Sequence, residues 1–493
     1  MSRHQRIIRW PSKAGLPKYS VLVVGFASLL SGCATLTVDG GMDLVQASAD
    51  ANLGQKVVKL SSEEQAQELK GRVDRLLKRP ISADSAVQVA LWNNRGLQAA
   101  FSELGLADAD RVQASLPPNP RFAIARTTFP LSLEIERQIT GSIFALATLP
   151  ARAEIANDRF RAVQLRTAES TLKLAADTRR QFYRAVAANA QVSALSRAKE
   201  TAAATAELFK RLGESGGVNK LNQARDFVFY AEVGAQLAQA RIQQRVEREK
   251  LVRLLGLWGR DTTALKLPSS LPSMPRLLAV REIEAKAIKG RIDLQMARIE
   301  LASLAKSFGL TNATRYVSDI DLLGRRTYDR SFVPNGMGGF ERERTIKRTL
   351  ELEVEIPLFD FGQVKVARAE EAYMAAAHRL AEKAVNVRSE AREAYQVWRG
   401  TRDVSLLFQR QVLPLRKIIQ DESLLQYNGM LIDVTQLIAD ARGRIMSQIA
   451  AINAQRDFFI ADVDFKHALI GGGMSGGAAS GASSPQAAGE AGH

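Results

Sequence analysis

The hydrophobic residues follow a helical period over unusually long stretches of the chain. Residues 151–212 contain neither Gly nor Pro. Apolar residues recur there close to heptad spacing, at Leu165, Leu172, Ala175, Phe182 and Val186. A heptad repeat predicts a helix that packs lengthwise against a partner as a coiled coil. At 1.5 Å per residue the segment would be roughly 90 Å long, which is too long for the core of a compact domain.

Residues 363–428 predict a second helix of similar length, with a kink expected at Gly400 and Pro414. Two partner helices are predicted to run back along the first two, over residues 219–255 and 433–470. Each half of the chain would therefore contain a pair of long helices joined by a turn.

The starts of the two partner helices carry recognisable capping residues. Asn219 and Asp433 are residue types that accept hydrogen bonds from the first free N–H groups of a helix. Gln436 follows Asp433 by three residues and completes a pattern similar to a capping box.

Residues 349–356 follow a different period, because polar and apolar side chains alternate strictly. Glu351, Glu353 and Glu355 share one face of this predicted strand with Thr349, and Leu, Val and Ile residues occupy the other face. Carboxylates opposite aliphatic residues are typical of a membrane barrel with a water-filled lumen. An amphipathic sheet in a soluble domain is the alternative interpretation, and the very long helices count against it.

Three partner strands are predicted with weaker alternation, over residues 121–127, 134–144 and 316–323. Asp319 and Asp321 share one face of the last strand. Four strands cannot enclose a lumen, because single-chain barrels start at about 8 strands and lipid does not tolerate open edges. The chain is therefore expected to oligomerise, and three copies would supply twelve strands.

An internal repeat divides the predicted elements between two halves of the chain. Residues 90–98 match residues 287–295, with Ala-Leu or Ala-Ile at the start and Leu-Gln at the end. A later match has a larger offset, and we assign the difference to an extra loop over residues 325–347. We therefore expect a first repeat over residues 80–279 and a second repeat over residues 280–470.

The beginning of the chain is typical of a bacterial lipoprotein. Its first 18 residues contain several Lys and Arg and no acidic residue, and the apolar run that follows is too short for a membrane span. Leu30-Ser31-Gly32-Cys33 resembles a lipobox, so residues 1–32 are expected to be a signal peptide and Cys33 the lipidated N-terminus that carries palmitate. Ala34 in place of Asp predicts sorting to the outer membrane.

Two further segments lie outside the predicted repeats. Residues 33–79 are expected to form a lipid-anchored N-terminal arm with a short helix near residues 61–77. Residues 471–493 are almost entirely Gly, Ala and Ser and are expected to be a disordered tail.

Composition narrows the possible functions. The 493 residues contain 68 Lys and Arg against 52 Asp and Glu, for a formal charge of +16. Loss of residues 1–32 removes five positive charges and leaves +11, spread along the helices without interleaved aromatic residues. No nucleic-acid partner is expected from this distribution. One Cys and four His argue against disulfides and against a metal site, and no cofactor is expected.

Several motifs resemble those of the TolC family of outer-membrane efflux proteins over about residues 80–470. They are the A-L-x-x-N helix at 90–94, the helix-to-strand entry L-P-P-N-P at 116–120, R-P-D-L at 291–294 with Ile in place of Pro, and the strand exit I-P-L-F-D-x-G at 356–362. Tyr427-Asn428-Gly429 followed by Asp433 resembles the hairpin turn Y-x-x-G-x-x-x-D with one residue fewer between Tyr and Gly. Pro357 cannot continue a strand ladder, and Gly362 permits the turn into the next helix. Arg95 stands where the family usually has Pro, and residues 147–150 lack the Phe and Gly of the family's first strand exit.

The resemblance implies a mainly α fold with a small transmembrane β part. In this family three copies form a 12-stranded barrel in the outer membrane of a Gram-negative bacterium and an α-helical tunnel in the periplasm. The tunnel would meet a periplasmic adaptor protein coupled to an inner-membrane pump. The chain would then be a passive conduit for exported small molecules such as drugs or metals, and no enzyme.

Two other functions stay open at this point. The exit duct of a type I protein secretion system has the same fold. A lipid-anchored periplasmic coiled-coil protein without a pore would use the helices but would have no need for strands in which leucines alternate with glutamates.

The two hairpin turns are the expected contacts with the adaptor. Their residues are Gly213, Ser215, Gly217 and Asn219 in the first turn and Tyr427, Asn428, Gly429 and Asp433 in the second. Residues 213–217 also match the hydrolase motif G-x-S-x-G. That motif needs a strand before it, whereas a long helix is predicted here, so no catalytic site is expected.

Five carboxylates are candidates to line the lumen, namely Asp319, Asp321, Glu351, Glu353 and Glu355. Such a row could make the channel prefer cations. Alternatively, it could serve to hydrate the lumen while pairing with Arg315 or Arg348.

Overall fold

The computed structural model describes residues 35–216, 218–275, 282–334 and 340–472. The α-helices in this part of the chain are α1 (Asp43–Leu53), α2 (Glu63–Leu77), α3 (Ala83–Asn93), α4 (Arg95–Ser115), α5 (Ile143–Ala147), α6 (Leu149–Glu214), α7 (Lys220–Leu255), α8 (Arg260–Ala264), α9 (Ile283–Gly290), α10 (Ile292–Ala313), α11 (Gln363–Leu407), α12 (Leu413–Asn428) and α13 (Val434–Ile470). The strands are β1 (Arg121–Phe129), β2 (Ser132–Ser142), β3 (Asp319–Pro334) and β4 (Phe340–Glu355). The mainly helical fold with a small sheet is thus confirmed.

One compact unit contains the sheet and comprises Asp108–Ala156 and Tyr316–Phe359 together with residues 35–38. Its four strands lie in chain order β1-β2-β3-β4, and all neighbours are antiparallel. Among the described residues, β1 and β4 each pair with one strand, so both edges of the sheet present unpaired backbone groups.

The last two strands are longer than predicted. β3 and β4 each contain 16 residues, so the loop expected over residues 325–347 is wrong. Most of that segment is strand, and residues 335–339 lie outside the described part. The prediction failed because residues 325–330 and 341–344 carry polar or charged side chains on both faces, which removes the alternation that signals a strand.

The other compact unit is helical and comprises Asp39–Ala107, Asn157–Arg315 and the chain from Asp360 onward. All five residues of the predicted heptad seam, Leu165, Leu172, Ala175, Phe182 and Val186, are buried. Phe182 and Val186 pack in one apolar cluster with residues of α7, α11 and α13, including Leu251, Trp398 and Phe458. Burial of large apolar side chains along the whole helix stabilises the long α6 where helix propensity alone would not.

The chain breaks its helices at equivalent places without the proline of the related motif. Asn94, between α3 and α4, has φ −70° and ψ 115°, and Arg291, between α9 and α10, has φ −68° and ψ 121°. Asn94 Oδ1 accepts the Leu97 N–H at 3.0 Å and so caps α4. The buried Arg291 guanidinium pairs instead with Asp293 and Glu390. Polar side-chain contacts, and not proline, therefore accompany the non-helical backbone at both breaks.

The kink expectation for residues 363–428 is half right. Gly400 lies inside the continuous helix α11, so a break there is wrong. The irregular segment is a π-helix at Phe408–Val412, immediately before Pro414 in the first turn of α12. Proline cannot donate a backbone hydrogen bond, so it perturbs the helical ladder where glycine does not.

Both predicted N-caps are confirmed. Asn219 Oδ1 accepts the Asn222 N–H at 2.8 Å, and Asp433 Oδ1 accepts the Gln436 N–H at 3.0 Å. The capping box at Asp433 is wrong, because the Gln436 side chain turns forward and donates to Asp440 Oδ2 at 3.3 Å.

Candidate channel surfaces and hairpin tips

The register of β3 and β4 brings the five predicted carboxylates onto one face of the sheet. Asp319 lies directly opposite Glu355, and Asp321 lies opposite Glu353. Glu351 lies on the same face, opposite Leu323. Like charges that face each other across a ladder are unfavourable, so this face requires water or cations around it.

The segregation of charge extends to every acidic residue of the strands. All of them share one face, which we name the acidic face: Glu134, Glu136, Asp319, Asp321, Asp329, Glu341, Glu343, Glu351, Glu353 and Glu355. Sequence reasoning missed Glu134 and Glu136 because the alternation in β2 is weaker, and it missed Asp329, Glu341 and Glu343 because residues 325–347 were expected to form a loop.

Partial compensation of the acidic face comes from within the sheet. Arg325 Nε lies 3.0 Å from Glu136 Oε1, and its guanidinium is 4.0 Å from Glu351. The Ser142 hydroxyl donates to Asp319 at 2.9 Å. Asp321 Oδ1 is buried and has no hydrogen-bond partner in the described part of the chain.

The pairing expected from Arg348 is wrong. Arg348 lies opposite Arg326, on the face that carries no carboxylate. Side chains alternate along a strand, and Arg348 is an odd number of residues from all three glutamates of the predicted row. Arg325 fills the expected role instead.

The opposite face of the sheet, which we name the apolar face, carries aliphatic and aromatic side chains. Phe122, Ile124, Leu350 and Leu352 are all exposed there, with exposed fractions of 60% to 77%. The same face also carries arginines, at Arg126, Arg137, Arg326, Arg330, Arg342, Arg344 and Arg348. An exposed apolar surface of this kind indicates contact with lipid or with another protein.

The predicted strand exit has the geometry that its residues require. Pro357 follows the end of β4, and the chain turns into α11 at Gly362, which has φ +70°. A Cβ on Gly362 would lie 2.2 Å from the backbone oxygen of Arg315, so no other residue fits without a shift of the backbone. The Gly362 N–H donates to Asp360 Oδ1 at 3.0 Å, which closes the turn.

The first hairpin tip joins α6 to α7. Gly213 lies in the last turn of α6, where a Cβ would collide with the Gln223 side chain. Ser215 donates its hydroxyl to the Leu212 carbonyl at 3.0 Å, and Gly216 turns the chain with φ +77°. Gly217 lies outside the described residues, and Asn219 caps α7.

The second hairpin tip joins α12 to α13 with different chemistry. Tyr427 and Asn428 end α12, and the Gly429 N–H donates to the Leu425 carbonyl at 3.0 Å. Gly429 has φ −82°, and the left-handed residue is Met430 with φ +59°. Asp433 caps α13, and the pKa of its carboxyl is lowered mainly by the backbone N–H of Gln436.

The helical unit brings the two tips together. The Phe209 and Tyr427 rings lie 6.2 Å apart, within a buried cluster that includes Phe229 and Val434. Arg225 of α7 donates to the Thr435 hydroxyl at 2.7 Å. The two hairpins therefore contact each other near their ends.

Asp226 is a feature of this region that sequence reasoning missed. It lies two turns into α7, is completely buried, and neither carboxylate oxygen has a partner among the described residues. Burial raises the pKa of Asp226 to about 6. The carboxyl lines a cavity of about 400 Å³ whose other walls come from α6, α12 and α13. No pattern in the sequence marks this residue, because its burial depends on helices distant along the chain.

The remaining features concern lipidation, metal binding and helices that could span a membrane. The lipidation candidate Cys33 lies outside the described residues. Within the described ranges no group of three or more His, Cys, Asp or Glu side chains could hold a metal ion. No helix in the same ranges has both the length and the apolar composition to cross a membrane.

Comparisons with known proteins point to one kind of structure. No protein-family model and no curated protein matches the sequence. The structure of the CmeC outer membrane channel of Campylobacter jejuni matches with TM-score 0.62 and 14% identity, covering 83% of this chain and 86% of that one. The outer membrane protein VceC of Vibrio cholerae matches with TM-score 0.64 and 15% identity, covering 84% and 100%. The outer-membrane channel OprN matches with TM-score 0.64 and 15% identity, covering 90% and 98%.

These matches cover nearly the full length of the similar structures. They establish that this chain has the fold of these outer-membrane proteins, and they confirm the TolC-like fold that the sequence motifs predicted.

Proposed function

We propose that the chain is the outer-membrane channel of an efflux system, in which three copies close a twelve-stranded barrel. The observation that carries this proposal is the sheet itself. It has one face with every carboxylate, one exposed apolar face, and two edges that pair with no other described strand. Such a sheet suits lipid on one side and water on the other.

The open edges argue for association of several copies. Backbone N–H and C=O groups without partners cost several kcal/mol each in lipid, so β1 and β4 must pair with strands of other copies. Antiparallel pairing of β4 with the β1 of the next copy continues the strand order around a ring. Three copies of four strands supply the twelve strands that the TolC-family resemblance implies, and twelve exceeds the minimum of about 8 strands.

The helical unit would form the periplasmic tunnel of this channel. The hairpin tips, with Ser215 and Asn428 exposed, would bind a periplasmic adaptor that couples the channel to an inner-membrane pump. Cys33 would carry the lipid anchor after removal of residues 1–32, and the cargo would pass as small molecules without chemical change. Cysteines at Ser215 and Asn428 should crosslink to the periplasmic adaptor in cells that produce both proteins; an absence of adducts at both would refute the contact.

Barrel closure can be tested with cysteines on the two edge strands. Ala123→Cys on β1 combined in turn with Thr349→Cys, Glu351→Cys and Glu353→Cys on β4 should give a three-chain species under oxidation in outer-membrane vesicles. Each single variant is the matched control and should give none. If no pairing position links more than two chains, the closed trimer is wrong, and a coiled-coil protein without a pore becomes the better interpretation.

The acidic face would line the lumen and favour cations. Arg325 offsets only part of its charge, which supports a selective role over simple hydration. Reversal potentials in planar bilayers should show cation preference for the wild type and a reduced preference for Glu353→Gln. An anion preference in the wild type, or no shift in the variant, would refute that role.

A further inference from the structure

The apolar face of the sheet has an unexpected charge. It carries seven arginines and not one carboxylate, whereas the acidic face carries all the acids of the strands. A surface meant only for hydrocarbon would exclude arginine, because guanidinium is always charged. The arginines therefore mark a part of this face with a different neighbour.

Cross-strand pairing places several of these arginines next to one another. Arg137 of β2 lies directly opposite Arg326 of β3, which lies opposite Arg348 of β4. Two pleats further along, Arg330 lies opposite Arg344. Side chains directly opposite in a ladder have Cβ atoms about 5 Å apart, so like charges repel there.

Nothing within the described chain neutralises this arrangement. None of the three arginines in the row Arg137, Arg326 and Arg348 makes an ion pair in the described residues, although all three are exposed. Arg342 lies over the Phe332 ring at 5.6 Å, which leaves its charge unbalanced. Juxtaposed guanidinium groups without acids form a site for anions, and phosphate matches their planar donor pairs.

The positions of the arginines along the strands indicate the depth in the membrane at which these anions would lie. Between the row and the helix-proximal end of the sheet, the apolar face contains no charge. Leu350, Leu352 and Val354 of β4 lie in that direction, and Ile356 follows the strand directly. Eight residues separate Arg348 from Ile356, about 26 Å along a strand at 3.3 Å per residue. With a barrel tilt of roughly 40°, the height is about 20 Å, close to the ~25 Å apolar band of membrane barrels. The arginine row therefore falls at the boundary between hydrocarbon and headgroups, on the side of the β1–β2 turn.

We propose that this arginine-bearing part of the apolar face binds the phosphate groups of anionic lipid headgroups in the bilayer leaflet nearest the strand turns. The inference rests on the proposed barrel, which turns the apolar face towards lipid. Arg137, Arg326 and Arg348 form the central contact, and Arg330 and Arg344 extend it towards the turns. The bound lipids would also screen the repulsion between opposed arginines and so stabilise the assembled sheet.

The test measures lipid retention by the full-length protein in nanodiscs. Phosphatidylcholine supplies a zwitterionic phosphate, whereas phosphatidylglycerol and phosphatidic acid supply anionic headgroups. Native mass spectrometry after release into neutral detergent counts the lipids that each oligomer keeps. We expect at least a tenfold preference for the anionic lipids over phosphatidylcholine, and we expect excess inorganic phosphate not to displace them.

Two triple variants of equal charge change separate the faces of the sheet. Arg137→Gln, Arg326→Gln and Arg348→Gln together should lose most of the preference. Arg121→Gln, Arg325→Gln and Lys347→Gln together remove the same charge from the acidic face and should keep it. Arg137→Lys, Arg326→Lys and Arg348→Lys retain the charge without the planar donor pairs, so they should keep only part of the preference and show that the sheet still assembles.

The outcomes distinguish this inference from the proposed function. An oligomer that conducts ions in phosphatidylcholine but shows no preference for anionic lipid overturns the inference alone. Equal loss in the two glutamine variants also overturns it, because net charge rather than the apolar face would then attract the lipid. Displacement by inorganic phosphate would identify a free-anion site instead of a lipid site. Failure to form any oligomer in any lipid would refute the barrel together with the inference.

Discussion

The two hairpin tips perform the same reversal with different residues. In the first tip the left-handed position is Gly216, whereas in the second it is Met430 and the nearby Gly429 has an ordinary φ of −82°. The first returning helix is capped by the neutral Asn219, and the second by the ionised Asp433. The first tip also carries the buried Asp226, which has no counterpart among the buried residues of the second.

The difference shows that a repeated fold can conserve a turn without conserving its chemistry. The backbone must reverse and the next helix must be capped, and several residue types meet each need. The stability of the turn and its dependence on pH should therefore differ between the two tips. Each difference can be measured at the tip where it arises.

The largest expected effect concerns Asp226. A carboxyl whose pKa is about 6 in the folded state binds its proton more tightly than in the unfolded chain, where the value is 3.8. Stability is then full below about pH 4, falls as pH rises towards 6, and is lower by about 3 kcal/mol at neutral pH. Arg197 and Arg444 line the same cavity, and burial together with the Asp226 carboxylate raises the pKa of Tyr427.

Asp226→Asn should accordingly stabilise the first tip by about 1–3 kcal/mol at pH 7.5 and have little effect at pH 4. Hydrogen exchange of tip peptides, corrected for intrinsic rates, measures this change. Asp421→Asn, at an exposed carboxylate of α12, is the matched control and should leave exchange unaltered at both pH values. If the stability of the wild-type tip does not vary between pH 4 and 7, the conclusion that Asp226 is a buried carboxylate charged at neutral pH is wrong.

The second effect separates the glycines of the two tips. Gly216→Ala places a Cβ at φ +77° and should destabilise the first tip by about 1–2 kcal/mol. Gly429→Ala meets only ordinary contacts at 3.5 Å or more and should be neutral or slightly stabilising. The two variants make the same chemical change, so equal exchange rates at both tips would show that backbone conformation is not what distinguishes them.

The sequence-based expectations succeeded where the cause is local. Asn219 and Asp433 were identifiable as caps because the hydrogen bond reaches only three residues ahead. Pro357 and Gly362 were identifiable as an exit turn because their backbone limits do not depend on distant neighbours. The long α6 was identifiable because all residues of its heptad seam lie in one continuous segment of the sequence.

The expectations failed where packing or register decides. Asp226 looks like any polar helix residue until α12 and α13 cover it. Residues 325–347 looked like a loop because arginines on the apolar face hide the alternation of β3 and β4. The face of Arg348 could have been read from its spacing to Glu351, whereas the Arg325–Glu136 contact requires the register between β2 and β3.

A third prediction compares the caps. Asn219→Ala should destabilise the first tip by about 1 kcal/mol at pH 7.5, and Asp433→Ala should also destabilise the second tip at that pH. The pKa of Asp433 is lowered by its hydrogen bonds, so its stabilising effect is present at neutral pH and is lost as pH falls through that lowered value. The loss on Asp433→Ala should therefore shrink in strong acid, while the loss on Asn219→Ala should not. Exchange of residues 219–225 and 433–439 across a pH series provides the measurement, and parallel pH profiles would contradict the assignment.

The smallest effect concerns Met430. A non-glycine residue at φ +59° is strained, and Asn adopts this conformation more readily than Met. Met430→Asn should stabilise the second tip by about 0.5 kcal/mol. The exposed Leu431 is the control position, since Leu431→Asn removes a similar side chain without relieving a left-handed residue. Slower exchange in both variants would attribute the gain to side-chain polarity instead.

The two unpaired edges of the sheet also bear on how the proposed trimer would assemble. In the proposed ring, joining a second copy to the first satisfies one pair of edges and leaves two edges exposed, as many as a single copy has. The two remaining edge strands find partners only when the third copy joins and closes the ring. Assembly should therefore behave as an all-or-none event whose rate depends steeply on protomer concentration, with dimers present only as short-lived species.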